Sequence, residues 1–431
     1  MNSDLDVADT VLAGLPAGPL CVALSGGLDS MVLLHVLARH ARDRPLRALH
    51  VHHGISAQAD DWVAHCERWC REWAVPLDVQ RVHAQPRGDG LEAALRDARY
   101  AAFEAALAPG EALVLAHHLD DQAETFLLRA LRASGVDGLA AMPRTRGLGA
   151  GTLVRPLLDI ERARLHAYAI EHGLAWVEDP GNADTVHDRN FLRQHVVPLL
   201  RERWPHAAAA LARSASLARD ESDLLKRADA HALASAATLD AATLRRDVIA
   251  ALPPARRARV LRHWTRTLGL PPMPAQALAQ AEAVLTARDD ANPCVAWSGV
   301  ALRAWRGLLH LAPVRAPLPS TWRAAWDGAA PLAVPTGTWS LEGASRLPAA
   351  AHAFARQGGE RIVLPGRLHS HTLKHVLQDL GVPPWERERL PLLADAAGTL
   401  LAAGDLVYSD AFDGWLRENG ARLRWQPHAD R

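Results

Sequence analysis

The chain of 431 residues contains only two lysines, Lys226 and Lys374, so arginine supplies nearly all of its positive charge. Arginine suits bidentate phosphate contacts and stacking on bases, which a lysine ammonium does not reproduce. Cysteine is also scarce. Cys21, Cys66, Cys70 and Cys294 are too few and too scattered for a disulfide framework. Cys66 and Cys70 stand four apart on one face of a helical pattern, as two packed thiols or a metal pair would. No C-x-x-C pair occurs. No run approaches the ~20 apolar residues that span a bilayer, so no membrane partner is expected. Met1–Asp6 lacks the apolar core of a signal peptide, and the chain reads as cytoplasmic. The formal net charge of +0 speaks against a uniformly basic nucleic-acid binder. The charge is unevenly spread, however: Leu244–Leu268 holds Arg245, Arg246, Arg256, Arg257, Arg259, Arg262 and Arg266 against the single acid Asp247.

The length calls for two or three domains. Short apolar runs at Leu20–Leu24, Ala48–His52, Leu77–Val82, Ala112–Ala116, Leu153–Leu157 and Ala175–Val177 alternate with amphipathic stretches at 30–40, 60–73, 91–107, 120–132 and 160–172. That alternation predicts an α/β fold built on a doubly wound parallel sheet. After Asn190 long alanine-rich helical patterns run to about residue 287. We expect residues 1–205 to form a nucleotide-binding domain and 206–320 a mainly helical domain. A linker is expected over 321–357, and a small α+β C-terminal domain over 358–431.

The densest chemical signal is Ser25-Gly26-Gly27-Leu28-Asp29-Ser30, between an apolar strand and an amphipathic helix. Two glycines permit a tight bend, and the exposed N–H groups at a helix start form an anion site. The lysine of G-x-x-x-x-G-K-[ST] is missing, so this is a different phosphate loop. Asp29 makes chemical sense facing Mg²⁺ rather than phosphate. A second cluster, His117-His118-Leu119-Asp120-Asp121-Gln122-Ala123-Glu124-Thr125, opens a later helix. Asp120 or Asp121 is expected to cap it, and Asp121 and Glu124 share a face. Those two acids with Asp29 would hold Mg²⁺ between phosphates, although a zinc site built from the histidines is a rival reading. A third cluster, His50-Val51-His52-His53-Gly54, ends the second strand, where packing and ligand roles fit the histidines equally well. Glu92, Arg96 and Arg99 form a helical stripe. Glu178-Asp179-Pro180-Gly181-Asn182 precedes Arg189-Asn190-Phe191-Leu192-Arg193, and an arginine there is suited to charge on a transferred phosphate. Ser25, His53 and His117 all fall at strand ends, where α/β sheets bind ligands.

The first loop resembles the S-G-G-x-D-S signature of the PP-loop ATP pyrophosphatases. The whole set is similar to that of the bacterial tRNA(Ile)-lysidine synthases within that superfamily. Matching elements are His50-Val51-His52-His53-Gly54; His117, His118, Asp121, Glu124 and Thr125; Arg132, Ser134, Gly135, Gly138 and Leu139; and Glu178, Asp179, Asn182, Arg189, Asn190 and Arg193. Gly358-Gly359-Glu360-Arg361, Thr372-Leu373-Lys374 and Gly381–Arg387 resemble the C-terminal domain of the long form. Gly90, Leu95, Gly181 and Asp188 depart from the family pattern. The resemblance implies ATP and Mg²⁺ as cofactors, L-lysine and a tRNA(Ile) with a CAU anticodon as substrates, and a homodimer. It implies ATP contacts by Ser25, Gly26, Gly27, Leu28, Asp29, Ser30, His53, Gly54 and His117, and Mg²⁺ on Asp29 and Asp121. Asp29, Asp121, Glu124 and Arg189 would be catalytic, with Glu124 supporting the site or orienting lysine and Arg189 steadying the intermediate. Arg96, Arg99, Arg193, Arg256, Arg257, Arg259 and Lys374 would meet RNA. The nearest alternative is a PP-loop tRNA thiolase, against which the missing C-x-x-C stands.

Overall fold

The computed structural model describes residues 3–54, 56–83, 91–288 and 291–428. The chain divides into two units, Met1–Leu225 and Lys226–Arg431. The first runs α1 (Ser3–Ala13), β1 (Leu20–Ala23), α2 (Leu28–His40), β2 (Leu46–His52), α3 (Ala59–Glu72), β3 (Leu77–Arg81), α4 (Leu91–Ala106) and β4 (Ala112–Val114). It continues through α5 (Leu119–Leu131), α6 (Val136–Leu139), β5 (Thr145–Leu148), β6 (Gly151–Val154) and α7 (Arg162–Glu171). Then come α8 (Asp188–Phe191), a five-residue π turn at Leu192–Val196, α9 (Val197–Arg203) and the start of α10 (Ala207–Ala236).

The sheet order is β3-β2-β1-β4-β6-β5, parallel throughout except for the edge strand β5. The sequence does not announce β5, because glycines at 147, 149 and 151 interrupt its hairpin with β6. The chain reverses direction across the sheet between β1 and β4. A crevice therefore opens at their carboxyl ends, the usual ligand position in such sheets. Leu20, Val22, Leu33, Leu34, Leu37 and Val114 are fully buried beneath it, so α2 is clamped to the sheet along its apolar face. Ala175–Val177, expected as a strand, is not one. It lies beside the Ser25–Ser30 loop, and the Val177 N–H donates to the Gly26 carbonyl at 3.0 Å.

The second unit contains the rest of α10, β7 (Thr243–Arg245), α11 (Arg246–Ala250), α12 (Pro254–Thr267), α13 (Ala275–Thr286), β8 (Cys294–Trp297), β9 (Val300–Trp305) and β10 (Leu308–Pro313). The helical middle region thus packs on an antiparallel sheet ordered β7-β10-β9-β8, with Trp264 and Leu309 in its core. β11 (Arg323–Trp326), β12 (Leu332–Val334), β13 (Gly337–Glu342) and β14 (Ala351–Phe354) follow. Next are β15 (Arg361–Val363), β16 (Ser370–Thr372), α14 (Leu373–Asp379), α15 (Pro384–Arg387), β17 (Leu392–Asp395), β18 (Leu400–Ala403), β19 (Val407–Tyr408), α16 (Asp410–Glu418) and β20 (Arg422–Pro427). The segment 321–357, expected as a linker, supplies β11 to β14. β14 pairs with β17, and β13 pairs with β20. Most of its prolines and glycines lie between strands, while Trp326 and Trp339 stack at 5.6 Å inside the core.

An ion pair ties β2 to the residue just before β4. Arg47 of β2 donates to both oxygens of Glu111 at 2.7 Å and to the Ala106 carbonyl at 2.8 Å. These hydrogen bonds hold the Glu111 carboxyl below its ordinary value. A depressed folded-state value contributes stability that is fully present above about pH 4.5 and is lost as pH falls through the lower folded value. Glu111→Gln should lower stability by about 1–3 kcal/mol at pH 7. Urea melts at successively lower pH should show the wild-type advantage shrinking below about pH 4.5; a constant difference would assign Glu111 no electrostatic part.

Candidate active site

At the end of β1 the chain turns through Gly26, whose φ of +84° is a left-handed conformation natural to glycine. A Cβ there would come within 3.1 Å of Val177 Cγ2 and 3.2 Å of Cys66 Sγ, so the site is tight for any side chain as well. The turn is braced by Ser30. Its Oγ donates to the Gly27 carbonyl at 2.9 Å and accepts the Ser25 N–H at 3.2 Å. Gly27 is the N-cap of α2 and provides no side-chain cap, so the first N–H groups of that helix stay available to an anion. Asp29 stands in this first turn. One of its oxygens, Oδ1, is buried without a hydrogen-bond partner among the described residues. Burial raises its carboxyl above the ordinary value, offset in part by His118 and Arg162.

Across the crevice, α5 begins at His118 rather than at either aspartate. The His118 ring accepts the Asp121 N–H at 3.4 Å, and Asp121 Oδ2 accepts the His118 N–H at 3.0 Å, a reciprocal cap. The other ring nitrogen, Nε2, faces two acids. That nitrogen lies 3.4 Å from Asp121 Oδ2 and 3.7 Å from Asp29 Oδ2. His118 therefore links the phosphate loop to the acid helix. Asp120, the other expected cap, is turned away: its Oδ2 accepts the Arg162 N–H at 2.9 Å, and Arg201 holds its other oxygen.

Asp121 and Glu124 are gripped by two arginines from the segment that precedes α9. Arg189 reaches Asp121 Oδ1 and Glu124 Oε2, each at 2.8 Å. Arg193 reaches Glu124 Oε1 at 2.7 Å and Asp121 Oδ1 at 2.9 Å. Arg193 lies in the π turn, a distortion that recurs at functional sites. Glu124 is 1% exposed, so the acids lie at the buried end of this cage while the arginines reach toward solvent. Burial opposes ionisation of Asp121, but the charges of His118 and Arg189 outweigh it and hold its carboxyl well below the usual range.

The structure brings together Ser25, Gly26, Gly27, Leu28, Asp29, Ser30, Asp121, Glu124, Arg189 and Arg193. It also gives several of them partners within the protein. Arg193, expected at RNA, pairs with Asp121 and Glu124. Arg189, expected at the intermediate, pairs with the same two acids. Glu124 supports those arginines with both oxygens engaged. His117 accepts from Arg155 at 3.2 Å, and burial pushes its imidazole down to about 3. His50 is structural, with Nδ1 2.8 Å from the Leu24 carbonyl, and His52 faces Asp60 at 3.4 Å. His53 and Gly54 follow β2, and burial and then Arg99 lower the His53 imidazole. Burial pushes the Cys66 thiol up to about 12 and the Cys70 thiol up to about 11, as packed thiols require. Ile55, Gly90 and the side chains of Glu92 and Asn182 lie outside the described residues.

Of the expected RNA contacts, Arg96 and Lys374 are exposed, and Arg96 lies over the Tyr100 ring at 5.0 Å. Arg256, Arg257 and Arg259 are instead tied within their own unit. Arg256 donates to the Ala228 carbonyl, Arg257 pairs with Glu282 at 3.0 Å, and Arg259 pairs with buried Asp229 at 2.9 Å. These bonds fasten α12 to α10 and α13. Arg262 and Arg266 of the same helix are exposed. Sequence reasoning placed His118 in the acid cluster but not as the cap of its helix, and it passed over Arg162. Histidine is not a preferred N-cap residue, which hid that role. Arg162 was accessible to the strand-end logic that selected Ser25, because α7 follows parallel strand β6.

Among the described residues no cluster of three or more His, Cys, Asp or Glu side chains could hold a metal by itself, so the zinc reading gains no support there. Asp29, with its unpartnered oxygen, suits a cation held jointly with phosphates. Both oxygens of Asp121 are occupied by protein donors. No helix among the described residues is long and apolar enough to cross a membrane.

Comparison with known proteins identifies the relatives of the chain. A PP-loop domain profile matches residues 6–200, a TilS substrate-binding-domain profile 244–310 and a TilS substrate C-terminal-domain profile 353–425. A tRNA(Ile)-lysidine synthase of Xanthomonas axonopodis pv. citri is 53% identical over 427 residues, 97% of each chain. One from Shigella flexneri is 42% identical over 96% of this chain and 97% of its own. Among solved structures, the U34-tRNA thiolase NcsA of Methanococcus maripaludis matches with a TM-score of 0.43 at 18% identity, over 50% of this chain and 80% of that one. Its full-length relatives and three profiles place this chain in the tRNA(Ile)-lysidine synthase family, with a PP-loop domain at its head.

Proposed function

We propose that the chain joins L-lysine to C2 of the wobble cytidine in the CAU anticodon of tRNA(Ile), using ATP to activate the base. The observation that carries this reading is the uncapped start of α2, with the unpartnered Asp29 oxygen beside it, facing an acid–arginine cage across His118. The α2 N–H groups and the two loop serines are suited to the phosphates. The cytosine C2 oxygen attacks the α-phosphorus as pyrophosphate departs. The lysine amine then forms the C2–N bond, the C2–O bond breaks with AMP as leaving group, and the amine gives up a proton. Mg²⁺ held by Asp29 and phosphate oxygens would neutralise charge on the departing pyrophosphate. His118 fixes the spacing of Asp29 and Asp121, while Arg189 and Arg193 hold Asp121 and Glu124 in place. A wobble base reaches the crevice only when unstacked. Sulfur delivery is the weaker alternative, because the full-length relatives are lysidine synthases and no C-x-x-C pair exists.

With ATP, radiolabelled lysine and unmodified tRNA, the protein should incorporate label and release AMP, and Asp29→Ala should abolish both with the fold intact. Retained turnover in that variant contradicts the reading. The arginines of α12 divide into two groups. Arg262→Ala and Arg266→Ala should each weaken tRNA binding and reduce its salt slope by about 1. Arg259→Ala strands the buried Asp229 carboxylate and should instead cost about 3–5 kcal/mol of stability. Thermal melts beside filter binding separate these outcomes.

A further inference from the structure

A phosphate loop without lysine still requires a cation where pyrophosphate charge develops. The arginines lining the crevice are mostly committed. Arg189 and Arg193 serve Asp121 and Glu124, Arg201 holds Asp120, and Arg155 donates to His117 and to the Pro143 carbonyl. Arg162 differs. Its side chain is 50% exposed, and its Nε stands 3.7 Å from the unpartnered Asp29 Oδ1, beyond hydrogen-bond range. Among the described residues the guanidinium has no other ionic contact. Its backbone, by contrast, is fixed. The Arg162 N–H donates to Asp120 Oδ2, and Asp120 is itself held by Arg201. A rigid mount thus carries an uncommitted planar donor to the rim of the phosphate loop, at the first turn of α7.

We propose that Arg162 is a catalytic residue that binds the β- and γ-phosphates of ATP and receives the charge of departing pyrophosphate. This rests on the reading that Ser25–Ser30 binds ATP. As the cytosine C2 oxygen bonds to the α-phosphorus, the bond from that phosphorus to the α,β-bridging oxygen breaks and its electron pair leaves with pyrophosphate. The forked guanidinium matches two phosphate oxygens at once and strengthens its grip as that charge appears. Because Arg162 already lies beside Asp29, its guanidinium is near the phosphates that a cation on Asp29 would bridge.

The test compares Arg162→Ala, Arg162→Met and Arg162→Lys with Asp29→Ala. Pyrophosphate release is followed with saturating tRNA and lysine, and ATP and AMP binding by calorimetry. Arg162→Ala and Arg162→Met should slow pyrophosphate release about 100-fold. Both should weaken ATP binding while leaving AMP binding, tRNA binding and melting temperature near wild type, because AMP lacks the β- and γ-phosphates. Arg162→Lys should recover part of the rate. Wild-type release in the alanine and methionine variants, with Asp29→Ala inactive, overturns the role of Arg162 and leaves the ATP reading standing. Equal losses of ATP and AMP affinity reduce Arg162 to a structural part and also overturn it. Full turnover in Asp29→Ala as well defeats the ATP reading itself.

Discussion

Two carboxylates three residues apart on one helix repel each other, and burying them makes that repulsion severe. Asp121 and Glu124 are tolerable only because Arg189 and Arg193 arrive from a distant part of the chain and bond to both. This exchange of four charges is the constraint on which the remaining site geometry depends. It fixes α8 and the π turn against α5 and holds Asp121 at the right depth. Through the reciprocal cap with His118, it sets the distance from Asp121 to Asp29. The phosphate loop is then held from two sides, by His118 near Asp29 and by Val177 at Gly26.

The cage also changes which arginines are available for chemistry. A guanidinium bonded to two buried carboxylates has little capacity left for a substrate, whereas a half-exposed one on a pinned backbone is poised for it. Arg162 and the pair Arg189/Arg193 therefore play different parts although all of them border one crevice. The same division appears in α12, where three arginines brace the fold and two face solvent.

Much of the architecture was legible in the sequence. The β1 and β4 strands, the loop between β1 and α2, and the acids of α5 follow from apolar runs meeting glycine, aspartate and histidine clusters. What escaped depends on pairings between distant residues. Sequence spacing shows that Arg189 and Arg193 lie four apart, but not that Asp121 and Glu124 wait opposite them. It shows seven arginines between residues 244 and 268, but not that Asp229 and Glu282 claim two of them. The 321–357 segment was read as a linker because prolines and glycines dominate its turns. Its strands gain their stability from partners some 40 to 90 residues later, such as β17 and β20.

The central claim is that the carboxylates and arginines form one preorganised unit rather than separate catalytic groups. A double-mutant cycle tests it directly, with Glu124→Gln and Arg193→Met made singly and together and stability measured by urea unfolding. The account predicts a coupling energy of about 1–3 kcal/mol, with the double variant less destabilised than the two single losses added together. Strict additivity would contradict it.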